Sequence, residues 1–129
     1  MNNLLIHESL YIYKAYVTDV YDGDTITCII DCGFNIGMQK TKIRLYGINT
    51  PELRGEEREL GLFVRDELRK KILNKHIFLK TIKDKKGKYG RYLGKIYIKN
   101  TGNNKDDKDD VYLCINDWLL ENNYAIVYE

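Results

Sequence analysis

Three short segments of this 129-residue chain carry residue types suited to phosphate chemistry. The first is Tyr21-Asp22-Gly23-Asp24-Thr25. The second is Arg44-Leu45-Tyr46-Gly47-Ile48-Asn49-Thr50-Pro51-Glu52. The third is Lys88-Tyr89-Gly90-Arg91. Together they supply hard oxygen donors, a carboxylate placed to act as a base, and two arginines. Phosphodiester hydrolysis uses those parts. A hard cation takes carboxylate and carbonyl oxygens. A carboxylate orients and deprotonates a water. Guanidinium groups stay charged, grip phosphate oxygens and stabilise the charge that builds on them.

The surrounding pattern supplies elements that could hold these segments. Tyr11 to Val17 is aromatic and β-branched and reads as a strand. Asp22-Gly23-Asp24 is a turn signal, and Thr25 to Ile30 follows as a second strand. Lys42 to Tyr46 alternates with period 2, placing Ile43 and Leu45 on one face and Arg44 on the other. Between about Glu57 and Leu73, the recurrence of Leu60, Val64, Leu68 and Ile72, with Phe63 beside them, predicts an amphipathic helix. Its arginines are expected to form a solvated face. His76 to Ile82 and Tyr92 to Ile98 read as fourth and fifth strands. Lys99 to Asp110 is a polar connection, and Asn116 is the expected N-cap of a short helix over 117–122 that Asn123 stops. The order β-β-β-α-β-β-α suits a β-barrel with helices, α+β by content: a five-stranded Greek-key barrel of the OB type. The length suits a single domain over 1–129, with the barrel core at about 11–127.

Composition narrows the class. Hydrophobic residues make up 43% and charged residues 31%, which suits a globular chain and excludes disorder along its length. No apolar run approaches the roughly 20 residues of a membrane span. The N-terminal stretch has neither a basic region nor a long apolar one, so an intracellular protein without a signal peptide is expected. Three cysteines cannot all pair within the chain and form no zinc pattern, which agrees with a reducing compartment. The net charge of +2 conceals strong asymmetry. Residues 38–99 carry 18 Lys/Arg against seven Asp/Glu, and the flanking parts are acidic. A basic middle points to an anionic partner, most often nucleic acid.

The three segments, in this order and with a helix between the last two, resemble the staphylococcal nuclease (thermonuclease) family over about Tyr11 to Val127. The resemblance implies an SNase-like OB-fold and a calcium-dependent nuclease that cleaves DNA and RNA and leaves a 3′-phosphate. It implies that Asp24 and the Thr50 carbonyl ligate the cation, with Asp22 in support. It implies that Arg44 and Arg91 bind the scissile phosphate and that Glu52 is the general base. Lys88 and Tyr89 match residues that contact the nucleotide. One position departs: the family's second ligating aspartate is Asn49 here. A carboxamide still offers an oxygen but removes a negative charge, and calcium affinity follows ligand charge.

Each residue also has a plain structural reading. Asp22 and Asp24 are common turn formers, Glu52 suits the first turn of a helix, and Tyr89-Gly90 suits a hairpin. Trp118, with Leu119 and Leu120, reads as core. Against the nuclease stands a second function: an SNase-like OB module of little or no activity that binds single-stranded nucleic acid or a protein. A monomer that binds DNA or RNA and no membrane fits either reading.

Overall fold

A computed structural model describes residues 10–86, 91–99 and 111–128, with the side chains of 83–86 excepted. Eight strands and two α-helices are present among them. β1 (Ile12–Asp22), β2 (Thr25–Asp31) and β3 (Gly37–Leu45) form an antiparallel meander. The two-residue β4 (Ile48–Asn49), a 3-10 turn (Gly55–Glu57) and α1 (Arg58–Ile72) follow. Then come β5 (His76–Lys86), β6 (Tyr92–Lys99), β7 (Tyr112–Cys114), α2 (Ile115–Glu121) and β8 (Ile126–Val127). The sheet order is β3-β2-β1-β5-β6-β7, and a parallel pairing of β3 with β6 closes five strands into a barrel. The expected OB-type barrel is therefore observed.

Period-2 alternation explains the interior. Ala15, Val17 and Val20 from β1, Ile26, Cys28 and Ile30 from β2, and Ile43 and Leu45 from β3 are buried. Ile77 and Leu79 from β5 and Ile96 from β6 complete the wall. Val64, Leu68 and Ile72 of α1 plug one end, each with no exposed surface. Each such side chain contributes about 1.5–3 kcal/mol relative to full exposure. Burial in this interior pushes the Cys28 thiol up to about 12. All three cysteines are free.

The helix does not follow its expected stripe at the start. Leu60 and Phe63 are exposed, and Gly61 is the residue turned inward. Phe63 instead meets the Tyr124 ring edge-on, with centroids 5.6 Å apart. Asn74, with φ of 58°, stops α1, and its N–H donates to the Val17 carbonyl at 2.9 Å. The Lys75 carbonyl accepts from Val17 N–H at 3.0 Å, so the helix exit is tied to β1. Trp118 packs against the core as expected and carries Lys71 over its ring at 5.2 Å.

Asn116 is not a helix cap. Cys114 occupies that position without a side-chain bond, and Asn116 is a buried residue of α2, 2% exposed. Its Oδ1 accepts from Ile96 N–H at 3.1 Å. Its Nδ2 donates to the Tyr46 carbonyl at 3.0 Å and to the Gly94 carbonyl at 3.3 Å. Tyr46 N–H donates to that same Gly94 carbonyl at 2.8 Å. The carboxamide thus spans the seam where β3 meets β6, the only parallel pairing among the described strands. Each buried donor or acceptor left without a partner costs about 1–3 kcal/mol. Asn116→Leu is expected to lose at least ~2 kcal/mol in urea unfolding. A loss below ~0.5 kcal/mol would contradict the role given to this side chain.

Candidate functional site

The site begins at the turn between β1 and β2. Asp24 N–H donates to Asp22 Oδ1 at 3.1 Å, a local side-chain turn that sets the direction of the chain. Gly23 faces the helix. A Cβ there would stand 2.7 Å from Val64 Cγ1 and 2.8 Å from the Thr50 Cγ2 and Oγ1. The missing side chain lets the turn seat against both α1 and the segment after β4.

That seating buries Asp24, which is 6% exposed. Its Oδ2 accepts from Thr50 N–H at 3.0 Å and lies 3.3 Å from Arg44 Nη1. Its Oδ1 accepts from the Thr25 hydroxyl at 3.3 Å. Its carbonyl accepts from Leu45 N–H at 2.8 Å. One residue therefore binds its own strand, the end of β3 and the chain beyond β4.

Arg44 leaves β3 on the face opposite Ile43 and Leu45, as the alternation requires. Its Nη2 donates to Asn49 Oδ1 at 3.1 Å and its Nη1 to the Leu45 carbonyl at 3.1 Å. The Tyr128 ring lies 5.8 Å from its Cζ. Arg91, just ahead of β6, donates from Nη1 to the Thr25 hydroxyl at 3.2 Å. That hydroxyl in turn donates to Asp24, so both arginines are registered on one carboxylate.

Glu52 is exposed, but its backbone is held firmly. Its N–H donates to Glu57 Oε2 at 2.9 Å. Gly61 of α1 lies directly beneath it: a Cβ there would collide with the Glu52 carbonyl oxygen and stand 2.9 Å from the Pro51 oxygen. The helix thus sets the height of Glu52 above the barrel end.

Asp22, Asp24, Arg44, Asn49, Thr50, Glu52 and Arg91 all line one cleft of about 430 Å³. Seven sequence-derived site residues therefore converge. Lys88 and Tyr89 lie outside the described residues. The cleft adds Tyr21 and Arg54, which sequence reasoning did not select. Tyr21 stood inside a quoted segment, so its position was a usable signal. Arg69 had none. It was expected in a solvated helix face, yet its Nε and Nη2 donate to the Val20 carbonyl at 3.2 and 2.9 Å. That bond spans 49 residues and anchors β1 just before the Asp22 turn.

Burial, and then the negative charge of Asp24, push the Asp22 carboxyl up to about 7. A cation beside the pair would favour the charged form of both. The donor chemistry suits a hard divalent ion: two carboxylates, the Asn49 carboxamide and the Thr50 carbonyl are all oxygen groups. Thr50 Oγ1 is buried at the same place and has no hydrogen-bond partner among the described residues. Among those residues no three His, Cys, Asp or Glu side chains stand close enough together to hold a metal ion between them.

Comparison with known proteins follows the same lines. The family described as staphylococcal nuclease homologue matches residues 42–129. That span includes Arg44, Asn49, Thr50, Glu52 and Arg91, whereas Asp22 and Asp24 precede it and join the cleft through the fold. An uncharacterized protein of Methanocaldococcus jannaschii is 28% identical over an alignment covering 90% of this chain and 59% of its own length. The chain thus spans less than two thirds of that relative.

Gly61 gives two opposed expectations for Gly61→Ala. Helix propensity alone would stabilise by about 1 kcal/mol. The added methyl would strike backbone rather than a flexible side chain, and overpacking of this kind costs about 1–3 kcal/mol. Net destabilisation in urea unfolding is expected, and a gain of ~1 kcal/mol would show that Glu52 is not held by this contact.

Proposed function

The chain belongs to the staphylococcal nuclease homologue family, and on that premise we propose that it is a divalent-metal-dependent nuclease, with calcium the first choice of ion. The observation that carries the reading is the convergence of Asp24, Arg44, Glu52 and Arg91 on one cleft from three separate segments of the chain.

Asp24, Asn49 and the Thr50 carbonyl would hold the cation, with Asp22 in support. A bound hard cation supplies positive charge that offsets the phosphate and the carboxylates around it. The remaining work falls to the chain's own groups. Arg44 and Arg91 bind the non-bridging oxygens of the scissile phosphate and stabilise the extra charge of the transition state. Their contacts to Asp24, Asn49 and Thr25 fix both guanidinium planes beforehand, so little ordering remains on binding. Glu52 holds the attacking water and takes its proton as the water oxygen bonds to phosphorus. The bond to the 5′ oxygen breaks, that oxygen leaves with the bonding pair and takes a proton from solvent water, and the phosphate stays on the 3′ side. Tyr21, 62% exposed at the rim, offers a ring for a neighbouring base.

A second reading rests on Asn49. With one ligand charge missing, the cleft could serve as a binding site without turnover. The two readings separate in one experiment.

Purified protein is expected to degrade single-stranded DNA with Ca²⁺ and to stop on chelation. Arg44→Ala or Glu52→Gln should each lower the rate about 10²–10³-fold. Full activity in both variants would overturn the mechanism. Asn49→Asp should lower the metal concentration that gives half-maximal rate. Inactivity of wild type and Asn49→Asp alike, across Ca²⁺, Mg²⁺ and Mn²⁺, would favour the binding module.

A further inference from the structure

The outer face of the β1–β5–β6–β7 sheet carries aromatic and lysine side chains that neither the core nor the cleft uses. Strand register sets them in rows. Lys14 stands opposite Phe78, Phe78 opposite Tyr97, and Tyr97 opposite Cys114. Tyr16 stands opposite His76, with ring centroids 4.9 Å apart. Phe78 also meets Tyr112 of β7 edge-on at 5.4 Å. Their inward neighbours Ala15, Ile77, Leu79 and Ile96 are buried, whereas Lys14, His76 and Tyr112 are exposed and Tyr16, Phe78, Lys80, Lys95 and Tyr97 are half-buried.

Lys80 stands directly opposite Lys95. Like charges at a cross-strand pair destabilise a sheet, so the fold itself gains nothing from this pair. Among the described residues the ion pairs are Arg44–Asp24, Arg65–Asp66 and Lys70–Glu67. None lies on this face, so no carboxylate among the described residues pairs with Lys14, Lys80 or Lys95. Among the described residues, acidic groups stand at its margins. Asp31 shares with Lys14, Tyr16 and His76 a groove of about 370 Å³ beside β2, and Asp117 lies near Tyr97 and Cys114 on the α2 side. Successive outward residues on one strand are about 6.5–7 Å apart, of the order of one nucleotide in an extended single strand. Rings with interleaved cations are what sequence-tolerant single-strand binding uses.

We propose that this sheet face is a second, non-catalytic site for single-stranded nucleic acid, with bases on Tyr16, Phe78, Tyr97 and Tyr112 and phosphates on Lys14, Lys80 and Lys95. The site holds a long substrate away from the cleft, and it stands whether or not the cleft turns over.

The test is fluorescence anisotropy with fluorescein-labelled dT20 in chelator. Lys80→Ala/Lys95→Ala is expected to weaken dT20 binding by about tenfold and to flatten the salt dependence by about 1.4 log units per log unit of salt, for two phosphate contacts. Tyr112→Ala, at an exposed edge, should weaken it by about 5-fold or more, as expected for one lost stacking partner. A labelled dT3 should show no loss with the lysine variant. Lys80→Gln/Lys95→Gln serves as the second variant if circular dichroism shows the first to be unfolded. Wild-type dT20 affinity in the folded lysine variants would overturn the proposal. So would equal affinity for a 20-base-pair duplex, since paired bases cannot stack on the rings. Failure of the nuclease assay with dT20 binding intact would sink the catalytic reading alone.

Discussion

The structure around the cleft depends on one buried carboxylate. Asp24 accepts from Thr50 N–H and the Thr25 hydroxyl and pairs with Arg44. Taking a carboxylate and a guanidinium out of water costs several kcal/mol per ion, and only tight pairing with further hydrogen bonds offsets it. The side chains of Arg44 and Asp24 are 12% and 9% exposed, so the pair meets that condition at the edge of water rather than in the interior. Removing one partner of such a pair costs about 3–5 kcal/mol, because the other charge remains buried alone. Conformational order at the cleft is the return for this arrangement. Three segments far apart in sequence are locked by one set of polar contacts.

The barrel and α1 serve that centre from below. Gly23 and Gly61 are two places where backbone must approach closely, and both face the cleft's supporting layer. One seats the Asp22–Asp24 turn against Val64 and Thr50. The other sets Pro51 and Glu52 on the helix. Arg69 adds a third tie by gripping the Val20 carbonyl where β1 turns irregular before Asp22. Across the barrel, Asn116 seals the β3–β6 seam from which Arg44 and Arg91 emerge. Positioning here is a property of packing and polar satisfaction, not of the local sequence at the site.

Much of this was legible in the chain because it is written in short-range patterns. Aromatic and β-branched runs marked the first strand, period-2 alternation marked the third, and the four-residue recurrence marked α1. The strand parity of Arg44 placed its side chain outside the core, and the Asp-Gly-Asp turn placed the carboxylates at one end. What stayed hidden depends on partners remote in sequence. Asn116 looks like a helix cap because capping is its commonest local use, but its bonds reach Tyr46 and Gly94. Leu60 and Phe63 share the helical stripe, yet Gly61 is drawn inward by Glu52, a contact no periodicity reports. Among the described residues the short strands β4 and β8 pair only with each other, and two residues carry no periodic signal.

The central claim is that the oxygen groups around Asp24 form a single cation site despite the missing charge at Asn49. Tyrosine-sensitised terbium luminescence tests it directly, because Tyr21 lines the same cleft and terbium takes the same hard oxygen ligands as calcium. A saturable signal that Ca²⁺ displaces, that Asp24→Ala abolishes and that Asn49→Asp strengthens is the expected result. No saturable signal in the folded wild-type protein, or an unchanged signal in Asp24→Ala, would contradict the claim.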